Sequence, residues 1–73
     1  MKFTEEKLNE IAEQELKVAD FKNETFAKTV RSGLYLWAYF AAQVEYEDEV
    51  AVRDELRNHL AEEKENYKKI ENL

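Results

Sequence analysis

The sequence predicts an all-α protein, a small three-helix bundle or helical hairpin that is expected to be oligomeric. Three observations carry this. The 73 residues contain no proline and a single glycine, so nothing punctuates the chain strongly. Residues with good helix propensity (Glu, Lys, Leu, Ala) dominate, and no useful window alternates as a strand does. The stretch from Gly33 to Val44, GLYLWAYFAAQV, is apolar around nearly its whole circumference in a chain that is 38% charged. A helix of that kind has to be covered on every side. At this length one domain is expected, spanning 1–73.

The first helix is predicted over about 4–20. Thr4 suits the N-cap, and Glu5 and Glu6 fall in the first turn, where the helix dipole favours negative charge. Leu8, Ala12, Leu16 and Ala19 fall on one stripe at helical spacing, widened by Ile11 and Val18. Phe21-Lys22-Asn23-Glu24-Thr25 is the first turn, with Asn23 or Thr25 as the next cap and Phe21 able to pack back over the turn.

The second helix is predicted over about 24–46. At ~100° per residue, Phe26, Val30, Leu34, Trp37, Ala41 and Val44 share one face. Tyr35, Tyr39, Ala42 and Tyr46 share the opposite one, with Leu36 and Phe40 between them above Gly33. The third helix is predicted over about 48–71. It opens on the acidic run Glu45 to Glu49, and its stripe is Val52, Leu56, Leu60, Tyr67 and Ile70, with Lys68 and Lys69 near the C-terminal end. No residue forces the break before it, so one continuous helix from Thr25 onward is the alternative.

Composition narrows the function classes. With no cysteine, disulfides, thiolate metal sites and cysteine nucleophiles are absent. The formal net charge is −6, from 17 acidic and 11 basic residues. That disfavours direct nucleic-acid binding through phosphates and adhesion to an anionic membrane. The N-terminal residues lack the apolar core of a signal peptide, and the apolar run is about half of the ~20 residues needed to span a bilayer. A cytoplasmic location is expected.

No constellation of catalytic type is present, and neither enzyme activity nor a cofactor is expected. His59 is the only histidine. Glu55, Glu62 and Glu63 lie within one turn of it on a helix, but the di-iron pattern Glu-x-x-His is missing, since Glu55 to His59 is one residue too long. A carboxylate metal site from Glu55, His59 and Glu62 of several chains is a remote option. The acidic pairs, interleaved with basic residues, have the pattern of a solvated face.

The aromatic face is the most suggestive feature. Tyrosine offers a large apolar area with a polar tip and is favoured at interfaces. Each large apolar side chain left exposed forgoes about 1.5–3 kcal/mol, against a total of about 5 kcal/mol for a small domain. The expected reading is therefore a non-enzymatic interaction module. It would be a homodimer or complex subunit whose partner-binding residues are Tyr35, Leu36, Trp37, Tyr39, Phe40 and Tyr46. Gly33 would permit close approach of another backbone. The alternative is an acidic mimic of nucleic acid that blocks a basic groove on a host protein, as phage-type inhibitors do. Glu45, Glu47, Asp48, Glu49, Asp54 and Glu55 would make that contact.

Overall fold

Thr4 ends the extended N-terminal segment and starts the first helix. Its hydroxyl accepts from the Lys7 amide at 3.1 Å, which meets one of the donors a helix start leaves open. In the computed structural model, which describes residues 2–71, three helices follow: α1 (Glu5–Ala19), α2 (Glu24–Ala41) and α3 (Glu49–Glu71). The expected domain span of 1–73 runs beyond these limits, and residues 1, 72 and 73 lie outside the described residues. Among the described residues there is no strand.

Each helix boundary has a local cause. α1 stops at Asp20, which takes a left-handed conformation (φ 53°) while its amide bonds back to the Leu16 carbonyl. Asp tolerates that region better than most residues. Asn23 caps α2, its side-chain oxygen accepting from the Phe26 amide at 2.9 Å. Phe21 folds back over the turn, edge-on to Phe26 with ring centroids 5.5 Å apart. Asp48 caps α3 through the Ala51 amide at 3.0 Å.

α2 is shorter than the sequence predicts. It ends at Ala41, five residues before Tyr46, and the two bonds that follow, Gln43 to Phe40 and Val44 to Ala41, are of the tighter i→i+3 type. The continuous-helix alternative is excluded. The break is tertiary in origin: Tyr46 turns inward and lies edge-on to Phe3, 6.4 Å between ring centroids, and both rings join the core.

The arrangement also differs from a bundle centred on the second helix. α1 is the element that packs along both others. It runs antiparallel to α2 across the short turn, and parallel to α3, as the pairings Lys7–Glu49 and Glu15–Arg53 show. α2 and α3 meet chiefly through large side chains, as where Phe26 stacks on Tyr67 at 4.6 Å. The core is Leu8, Ile11, Ala12 and Leu16 of α1, Val30, Leu34, Ala38 and Ala41 of α2, and Val52, Leu56 and Leu60 of α3. Three stripe expectations fail: Val18 is 76% exposed, Val44, past the end of α2, is 48% exposed and Ile70 is 64% exposed. Val18 lies at the rim of the α1 stripe. Ile70 lies on the last turn of α3, the longest helix, which helps draw the molecule out to 43 × 19 × 17 Å.

Candidate protein-interaction face

Burying α2 against α1 uses only part of its circumference. Val30, Leu34, Ala38 and Ala41 point inward. On the opposite side Tyr35 (51% exposed), Leu36 (60%), Tyr39 (55%) and Phe40 (61%) stand in solvent, the last two edge to face with centroids 5.5 Å apart. Val44, just past the helix end, is also exposed. Contiguous exposed apolar surface is unusual on a free domain, where large apolar residues outside the core are scattered.

Two expected members of this face lie elsewhere. Trp37 is half-buried against the core and faces α3, lining a shallow cleft with Glu55, Asn58, His59 and Glu62. Its indole Nε1 is buried and makes no hydrogen bond. Tyr46 is buried at 9% exposure and donates a short 2.5 Å hydrogen bond from its hydroxyl to Glu55. Burial, and then the hydrogen bond to the carboxylate, push the phenol well above its ordinary value. Tyr46 was expected to point outward because the second helix was expected to reach it; with the helix ended at Ala41, the helical phase no longer applies. The predicted face thus contracts to Tyr35, Leu36, Tyr39 and Phe40.

Gly33 sits beside them, and a Cβ added there meets nothing within 4 Å. No contact within the chain requires glycine at this position. The structure leaves open ground beside Leu36 and Phe40.

The six acidic candidates divide. Asp48 caps α3, Glu49 pairs with Lys7 and Arg53, and Glu55 accepts from Tyr46. Glu45, Glu47 and Asp54 are exposed. Glu55, His59 and Glu62 share one cleft, yet among the described residues no three His, Asp or Glu side chains come together as a metal ion would need.

One polar group is missing from the sequence expectations. Glu15 of α1 is buried, 2% exposed, and its carboxylate is gripped by both arginines of α3. Arg53 donates at 2.9 Å, and Arg57 donates from Nε at 3.1 Å and from a terminal nitrogen at 3.2 Å. The Arg57 hydrogen bond, opposed by desolvation and helped by Arg53, holds Glu15 below its ordinary range. The signal was present: on a helical wheel Glu15 falls inside the stripe of Leu8, Ile11, Ala12 and Ala19.

The molecule is an all-helical three-helix protein with one uncovered apolar face, and no described helix is long and apolar enough to cross a membrane. No family model matches the chain, and no curated protein or solved structure matches it.

Proposed function

We propose that this chain is a non-enzymatic interaction module that docks a protein partner, a second copy or another subunit, on the outer face of α2. The observation that carries the reading is the adjacency of Tyr35, Leu36, Tyr39 and Phe40 in solvent while the other helices direct their main apolar stripes inward. Two tyrosines and a phenylalanine around a leucine have the character of an interface centre, in which rigid aromatic anchors carry most of the binding energy. The acidic-mimic reading has less support, because Asp48, Glu49 and Glu55 are engaged within the chain.

The test replaces Leu36→Glu and Phe40→Glu together. Both side chains are mostly exposed, so the variant keeps the helical content of the parent and a cooperative thermal transition. Immobilised parent and immobilised variant are each offered tagged chain and cell extract. Retention by the parent that is lost on the variant supports the reading. Equal retention on both overturns it.

A further inference from the structure

We infer that the occupant of this face is a second copy of the same chain, its α2 running antiparallel, with the bulky half of each α2 lying over the small half of the other. This rests on the reading of the α2 outer face as a docking surface, and adds the partner and its orientation.

The outer face of α2 is divided along its length. Its C-terminal half carries Tyr35, Leu36, Tyr39 and Phe40; its N-terminal half carries Thr25, Thr29, Ser32 and Gly33, with Lys28 among them and Arg31, paired with Glu13, at the edge beside Tyr35. Thr29, Gly33, Leu36 and Phe40 follow one another at spacings of four, three and four, a seam along which helices pair. A parallel twofold pair would set Phe40 against Phe40 and leave Gly33 facing Gly33 across a gap. In an antiparallel pair one register places Leu36 over the partner's Gly33 and, at the same time, Phe40 over the partner's Thr29. The space around Gly33 is open to receive it.

Charge favours the same orientation. The up-down-up order of the helices gathers residues 2–15 and 31–57 at one end of the rod, with eleven acidic and five basic side chains. Residues 16–30 and 58–71 form the other end, with six of each. The whole net charge of −6 is therefore concentrated at one end. A parallel pair would bring the two acidic ends side by side, whereas an antiparallel pair sets them at opposite extremes. It also lays Lys28 near the C-terminal end of the partner's α2, where the helix dipole is negative and the last turn holds no basic residue.

The four large residues supply about half of the area a stable interface needs. Whole aromatic side chains bury about 150–250 Å² each, so the exposed parts of the four large residues give roughly 400 Å² per protomer. A stable interface needs about 800 Å² per partner. The small half of the seam and the stem of Lys28 lie on the same face and add to the area those four residues supply.

Two measurements test this. Sedimentation velocity at about 100 µM, on the parent and on the Leu36→Glu/Phe40→Glu chain, reads the partner. The expected result is a parent dimer and a folded monomeric variant. A monomeric parent overturns the second-copy proposal while docking of a different protein still rests on the capture experiment. A dimer that survives both substitutions overturns it by placing self-association elsewhere. A spin label on Glu24→Cys, the chain's only thiol, reads the orientation by electron–electron distance. At 1.5 Å rise per residue, an antiparallel pair crossing midway between residues 34 and 35 sets the two labelled positions about 30 Å apart along the helices. A parallel pair at the usual helix spacing of 8–10 Å keeps them within about 20 Å. A short distance in a dimer that Leu36→Glu/Phe40→Glu dissociates overturns the antiparallel arrangement and leaves the docking face intact.

Discussion

Glu15 shows how one residue couples two helices. Its buried carboxylate faces Arg53 and Arg57, so α1 and α3 are held in register by charge as well as by packing. The arginines are themselves partly exposed, which moderates the pairing through solvent screening. The folded-state acidity of Glu15 is strengthened, so its contribution is present above the ordinary value near 4.5 and is lost as pH falls through the lower folded value. Glu15→Gln is expected to cost about 2 kcal/mol at pH 7, the scale of hydrogen bonds to a charged group. Urea titration of both proteins should show that gap shrinking as pH falls from the ordinary value near 4.5 through the lower folded value. A gap that stays the same size all the way down to acid unfolding would mean that Glu15 acts through shape rather than charge. Glu15 was visible in the sequence as an acid inside an apolar stripe. Its partners were not, because they lie about forty residues away and depend on α1 and α3 running parallel.

At the scale of the element, what was legible is what is local. Thr4 was indicated outright, Asn23 as one of two candidates and Asp48 only within the acidic run at the start of the third helix, and each makes the backbone hydrogen bond expected of a cap. Asn23→Ala should lower stability by about 1 kcal/mol. Thr25→Ala, at the other candidate position, should leave the thermal midpoint unchanged; equal losses in the two melts would contradict the assignment of the cap. The C-terminal end of α2 was illegible for the complementary reason. Residues Ala41 to Glu47 contain no glycine or proline, and their periodicity continues that of the helix. What ends it is the burial of Tyr46 beside Phe3 and its bond to Glu55, contacts distant in sequence that outweigh local propensity. The same event moved Tyr46 from the expected contact surface into the core.

Across the whole molecule, the apolar excess of the 33–44 stretch was legible from composition and period, and part of it does stand uncovered. Which helix would serve as the common neighbour was not. The most apolar helix is a natural choice for the middle, yet α1 occupies it, through a narrow stripe of Leu8, Ile11, Ala12 and Leu16 with Glu15 among them. α2 instead lies to one side with its outer face uncovered. An apolar face displaced from the interior in this way is the observation on which the proposed docking rests.

That central placement of α1 bears on how the chain opens. α2 and α3 rest on a shared support more than on each other, so neither has a scaffold once the first fifteen-residue helix melts. The amide protons of α1 should accordingly be the last to exchange with deuterated solvent, at a rate tracking global unfolding, while those in the final turns of α3 exchange early. Were the slowest protons found in α2, the keystone would have been misplaced.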